Sequence, residues 1–490
     1  MNLIPRPNLA AALLCGMALH LAGPARAAAD PYHGGKPAAG AKPSVADLEA
    51  QVYYQRAFEA VVWGMPLVNT YRLRLGIMEG NDAHDNDMVS FSHPAVAHHE
   101  LLTANNTTPY VTANFDLRKG PVVIEVPART DKALLFGQII DALGVTMESV
   151  GPAGVDQGHG GKYLLVPPGY TEALPEGYIP VRSTSNYVAL AFRPVHAPNS
   201  TDEDALAYGR TVRIYSLADA ANPPPTRIID GFPNPAYTLP RYDLNYFRDL
   251  HEIINAEPVR TRDKVMMGML ASIGIERGKP FKPQGKVKAA MERAVVDAWY
   301  YMQGRSKQMA SKRPYWPSRH WGIAQVSDPN DGFEFETADA LLIDERADIF
   351  HAGSYFPKKM QRGKVPVMYL VAFADSQGRP FQRGADYRLH IPADTPAAQF
   401  WSLVPYDEDT WAFVYNDLKR AGLSSFDKQT LKANPDGSID IYFGTTAPKG
   451  IESNWIPMGH SIAAPVLRLY GVTDALWSGK FTMPDVERIR

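Results

Sequence analysis

The sequence predicts an α+β protein with two β-rich parts, the C-terminal one sandwich- or jelly-roll-like, joined by a helical middle segment. Three observations predict it. Short apolar runs broken by Gly and Pro turns fill residues 110–225 and return over 367–470. Between them, three apolar stripes recur at helical spacing. The chain has 490 residues, more than one hydrophobic core accommodates.

In chain order, residues 1–27 form an export signal. Arg6 supplies the positive start and Leu9–Ala22 the apolar stretch. Gly23 and Pro24 break it, and Ala25 and Ala27 place small residues at the cleavage site. The stretch is shorter than the roughly 20 residues a spanning helix needs, so no stable membrane insertion is expected. Cleavage near Ala27 places the mature protein in a periplasm or outside the cell. Cys15, the single cysteine, leaves with the signal. Disulfides, thiolate metal ligands and a thiol nucleophile are thereby excluded. Residues 28–43, rich in Ala, Gly, Pro and Lys, are expected to be a disordered leader. With 50 basic and 52 acidic residues the chain carries no electrostatic footprint for nucleic acid.

The first folded part spans 44–225. Ser44 and Asp47 resemble a capping box before a helical stripe of Val45, Leu48, Val52, Phe58, Val61 and Val62, which Pro66 should end or kink. Strands are expected over Pro121–Val126, Ala133–Phe136, Tyr163–Val166 and Tyr187–Phe192. Pro223 to Pro225 mark a boundary. The helical middle, 226–325, has stripes beginning at Leu244, Met266 and Val287, the first capped by Asp243 and the second stopping near Gly274. The last part, 326–490, has strands expected over Val367–Phe373, Tyr387–Ile391, Phe400–Val404, Trp411–Tyr415, Ile439–Phe443 and Val466–Tyr470. Asp375–Gly378 and Asn434–Gly437 are turn sequences between them.

Two motif sets point to a family. The first is Asn105-Asn-Thr-Thr-Pro-Tyr-Val-Thr-Ala-Asn-Phe-Asp-Leu-Arg-Lys-Gly-Pro-Val-Val-Ile-Glu-Val126 with Gly161–Gly169. The second is Asn434–Gly444, Asn454-Trp-Ile-Pro457 and Leu467-Arg-Leu-Tyr-Gly471. Together they resemble the paired domains of unknown function DUF1254 (about 50–200) and DUF1214 (about 370–485). The resemblance implies an α+β fold in several parts and a homo-oligomer, and it implies no particular activity. One departure is Thr107, where the family often has Asp.

Three clusters are candidate sites. His93, His98, His99 and Glu100 are residue types that hold a divalent metal, although their spacing matches no strong ligand signature. No other cofactor is expected. Asn105, Asn106, Thr107, Thr108 and Tyr110 stand at a strand mouth, with Asn114 and Asp116 further on, where such side chains either bind a small polar ligand or close turns. Asn454, Trp455, Arg468 and Tyr470 form the third. Arg468 alternates with Leu467 and Leu469, so it faces away from their apolar side, free to clamp a carboxylate or pair with a neighbouring acid. For acid–base chemistry the candidates are His98, His99, Asp116 and Tyr110. Gly459-His-Ser-Ile-Ala463 lacks the helix a nucleophile elbow opens, and Gly160-Gly-Lys162 is followed by Tyr163 rather than Ser or Thr.

Three functions follow from this reading. The first is an exported protein binding a small polar or amphipathic ligand in a β-domain pocket. The second is an extracytoplasmic hydrolase or lyase, metal-assisted or not. The third is an envelope structural or assembly protein.

Overall fold

The structure, a computed structural model, describes residues 35, 37, 40–312, 314–324, 333–353 and 367–490. The export signal, Cys15 and most of the 28–43 leader lie outside the described residues. Contacts divide the chain at Leu48, and everything below concerns the unit that follows.

The fold is α+β. A long helix spans Leu48–Asn81 and runs through Pro66 rather than ending there. A proline inside a helix removes one backbone hydrogen bond. Here Ala60–Thr70 is buried on every side, and that packing outweighs the lost bond. The helix also starts at Leu48, not directly after Ser44. It packs with Leu244–Ala256, Lys264–Ala271, Gly285–Lys312 and a helix the periodicity missed, Ile343–Ala352, around one apolar core. Asn69 on the first helix donates to the carbonyls of Phe350 and Gly353, both at 2.8 Å, which closes this layer.

Each β-rich part is a pair of sheets around its own core. In the first, a six-stranded sheet runs Ile228–Asp230, Met88–Ser90, Val111–Asp116, Tyr187–His196, Ala133–Asp141, Thr146–Val150. Its apolar face, including Phe115, Leu190, Phe192 and Ile139, packs on a four-stranded sheet that contains Val122–Val126 and Gly161–Val166. In the second, a five-stranded sheet runs Trp321–Ile323, Val367–Ala372, Ala463–Val472, Ala397–Asp407, Leu423–Ser424. Leu370, Leu403, Leu467 and Leu469 pack from it against Leu389, Ile441 and Phe443 of a four-stranded partner.

The strand expected over Trp411–Tyr415 does not form. Trp411 has φ 59°, and its amide donates to the Asp407 carbonyl in a turn. The same residue's carbonyl accepts from the Thr103 amide at 2.7 Å. A tertiary contact to the first β-rich part thus takes the backbone that local pattern assigned to a ladder. No described helix is long and apolar enough to cross a membrane.

A cavity between two β-sheets as the candidate functional site

Strand alternation gives each large sheet a second face, and those two faces line one cavity of about 910 Å³. Register shows how the first wall is made. Thr112 pairs with Ala191, and Ala191 with Gln138; Asn114 pairs with Ala189, and Ala189 with Ile140. The central strand therefore contributes only small side chains to the floor, with hydroxyl and amide groups on the strands beside it. One step along the same strand stands Arg193, opposite Phe136. Ser149, Gly154 and Val155 close one side. Gly151 starts that loop at φ 94°, where a Cβ would lie 2.2 Å from the Leu135 carbonyl oxygen. The Asp156 carboxylate pins the loop by accepting from the amides of Gly151 at 2.7 Å and Gly160 at 3.2 Å.

The second wall comes from the five-stranded sheet. Tyr369, Arg468 and Ser402 form one row across three strands, and Val367, Tyr470 and Phe400 the next. Arg468 is 3% exposed. Its Nη groups donate to the carbonyls of Thr103 at 3.0 Å and Ala104 at 3.4 Å, and to the Tyr406 hydroxyl. The guanidinium lies over the Tyr369 and Tyr406 rings. Its Nε is buried without a partner. Among the described residues it pairs with no acid, and its terminal nitrogens are engaged by backbone carbonyls and the Tyr406 hydroxyl, so neither the clamp nor the acid pair expected of it is what this side chain makes. It joins the 103–105 segment to the second wall.

The Asn105 segment is that joint. Asn105 is buried and donates through Nδ2 to the Tyr470 hydroxyl at 3.0 Å, while its Oδ1 accepts from the Thr107 amide. Tyr470 also meets the Tyr369 hydroxyl at 3.4 Å. Arg193 reaches the same point from the first wall: its Nε donates to Thr108 Oγ1 at 2.8 Å, and its guanidinium lies over the rings of Tyr110 and Phe136. Burial pushes the Tyr470 phenol up. Arg193 and Arg468 then outweigh burial and hold it below the usual tyrosine value, while Tyr369 is raised, by burial first and by Tyr470 second.

Of the sequence candidates, Asn105, Tyr110, Asn114, Arg468 and Tyr470 line the cavity. Thr108 positions Arg193 from behind. Asn106 stands beside Gly422 with its Oδ1 unpartnered, off the wall. Asn454 is a structural tie: it donates to the carbonyls of Lys432 and Asp440, both at 2.9 Å. Trp455 lies in the edge strand Trp455–Pro457 of the partner sheet, away from the cavity. Asp116 is held by Arg118 at 2.8 and 2.6 Å; burial raises its carboxyl, and Arg118 brings it below the usual range.

The histidines do not assemble as metal ligands. His98 and His99 both direct Nε2 at the Phe232 carbonyl, at 3.3 and 3.1 Å, and His93 packs on the Phe232 ring. His99 Nδ1 accepts from the Val96 amide, and burial, then His98, lowers its pKa to about 4. Glu100 sits in a two-residue strand paired with Tyr237. Among the described residues no three His, Cys, Asp or Glu side chains are gathered for a metal.

Sequence reasoning missed Arg193, Tyr369, Thr112 and Gln138. For Arg193 a signal existed: Ala189, Ala191 and Arg193 alternate with Val188, Leu190 and Phe192, marking a second face of small residues ending in a cation.

The family described as a protein of unknown function, DUF1254, matches residues 86–216, and the corresponding DUF1214 family matches 366–474. The chain belongs to the paired DUF1254 and DUF1214 family. In this DUF1254/DUF1214 protein the first match contains Tyr110, Thr112, Gln138 and Arg193, and the second contains Tyr369, Arg468 and Tyr470. The cavity is thus made by both domains together. The fold is similar to that of the VPA0106 protein from Vibrio parahaemolyticus, at 19% identity and TM-score 0.52, over 89% of this chain and all of that one. An uncharacterised protein from Burkholderia cenocepacia aligns over 90% of this chain and 97% of its own, at 11% identity and TM-score 0.36. No curated protein matches.

Proposed function

We propose that this is an exported, periplasmic or secreted protein that binds a small amphipathic ligand in the cavity between its DUF1254 and DUF1214 domains. The observation that carries the reading is the cavity itself. About 910 Å³ lies at the upper end of the roughly 300–1,000 Å³ that ligand sites occupy. Its walls are mostly aliphatic and aromatic, including Leu73, Ile77, Phe91, Leu102, Ile349 and Trp411. Its charged donors and hydroxyls cluster around Tyr470, with neutral Thr112, Asn114 and Gln138 along the floor. An apolar body with one polar end fits that division. The small floor at Ala189 and Ala191 supports the same reading, since larger residues there would fill the space.

The hydrolase or lyase alternative is supported less well, because three of its four acid–base candidates, His98, His99 and Asp116, stand outside this cavity, and only Tyr110 lines it. The test is binding of the neutral fluorescent amphiphile N-phenyl-1-naphthylamine. Wild-type protein is expected to bind about one equivalent, and Ala191→Trp, which fills the floor, to bind none at unchanged circular dichroism. Equal binding by both proteins, or by neither, rules the cavity out as the site.

A further inference from the structure

The cavity holds more positive charge than its walls balance. Arg193 and Arg468 converge on the Tyr470 hydroxyl from opposite walls. Neither makes an ion pair with Asp or Glu among the described residues; Arg193 has Thr108 and two rings, and Arg468 has two carbonyls, the Tyr406 hydroxyl and two rings. The acids on the cavity wall belong elsewhere. Asp348 accepts from Arg305 Nε at 3.0 Å on both oxygens. Glu148 Oε1 accepts from the Ser149 amide at 3.0 Å, on a strand separated from that of Arg193 by the intervening Ala133–Asp141 strand. Removing guanidinium groups from water without an anion is costly, and a buried Arg468 Nε is left with no acceptor.

We infer that the ligand is an organic acid, its carboxylate held by Arg193 beside Tyr470 and Asn105, and its apolar body lying along the aliphatic wall. The inference rests on the binding reading above and deepens it. A guanidinium edge matches the two oxygens of a carboxylate. With Nε on Thr108, the remaining donors of Arg193 are the ones directed at Tyr470, where a head group would sit. Arg468 is already held by backbone carbonyls, so it adds charge at short range rather than a second clamp. One guanidinium edge, held among the described residues only by the Tyr470 hydroxyl, suits a singly charged head. The Tyr470 hydroxyl, placed between both cations, accepts from Asn105 and can turn its proton to the incoming carboxylate.

The experiment is calorimetric titration of the full-length mature protein with dodecanoate and with 1-dodecanol, repeated on Arg193→Gln and Arg193→Lys. Wild-type protein is expected to prefer the acid by at least ~10-fold, the scale of a charge-assisted hydrogen bond. The ratio should fall to about 1 in Arg193→Gln and stay above ~3 in Arg193→Lys. Equal affinity of wild-type protein for acid and alcohol overturns the organic acid while leaving amphiphile binding in place. A preference that survives in Arg193→Gln overturns Arg193 as its holder. Binding of neither compound overturns the cavity reading, and the acid with it.

Discussion

The two walls of the cavity obey the same alternation and use it differently. On the first wall, the central strand contributes Ala189 and Ala191, and its neighbours contribute Thr112, Asn114 and Gln138. Small size leaves room, and hydrogen-bonding groups such as the buried Thr112 hydroxyl are left without a protein partner. On the second wall, the corresponding positions are Tyr369, Tyr470, Phe400 and Arg468. These are large, and most of their donors and acceptors are engaged with the Asn105 segment or with each other. One wall is built to receive something, and the other is built to hold the two domains together. Arginine makes the contrast plain: Arg193 faces the cavity half-buried, while Arg468 is buried against backbone carbonyls.

The comparison can be broken most directly at Arg468. Arg468→Met strips donors from the carbonyls of Thr103 and Ala104 and from Tyr406. Each buried acceptor left unsatisfied costs about 1–3 kcal/mol, and three are involved here, read as a lower urea midpoint. Arg193→Met on the facing wall should cost under about 1 kcal/mol, because its guanidinium borders a cavity rather than a joint. Equal losses would erase the distinction between the walls.

A smaller effect sharpens it at the joint. Asn105→Ala leaves the Tyr470 hydroxyl and the Thr107 amide without their Asn105 partner, for a loss of about 1–3 kcal/mol. Asn454→Ala, far from the cavity, should cost a similar amount of stability, since Asn454 bridges two carbonyls, yet leave ligand binding intact. Ligand affinity is therefore the readout that separates them.

The smallest effect at neutral pH is at Tyr470. Two guanidiniums lower its phenol below the ordinary value. A depressed acid contributes stability that is fully present above the unfolded tyrosine value of about 10 and is lost as pH falls through the folded value. Tyr470→Phe should therefore cost increasingly more as pH rises toward 10. Tyrosinate absorbance of wild-type protein should begin to rise at lower pH than in the variant. Coincident absorbance titrations would remove the joint influence of the two arginines.

Much of the fold was legible in the sequence because its signals are local. The Leu244, Met266 and Val287 stripes became helices, and Asp243 caps the first, with its carboxylate accepting from the Asn245 amide at 2.6 Å. Tyr387–Ile391 formed as expected. Trp411 misled because a tertiary contact, its carbonyl accepting from the Thr103 amide, overrode a local preference, while Pro66, expected to end or kink its helix, does not end it. The histidines misled because residue type was visible and side-chain direction was not; they converge on Phe232, not on each other as ligands.

By itself the sequence determined most of the longer strands, which face of each is apolar, and that Arg468 turns away from Leu467 and Leu469. Those are period-two properties, readable over a few residues. Only the tertiary structure decided what the other faces meet. Asn105 and Tyr470 are 365 positions apart, and no local pattern encodes their contact. A face carrying Thr112, Asn114 and Arg193 reads locally as one turned to water. It lines a cavity because a second sheet, specified by a distant stretch of chain, packs across it.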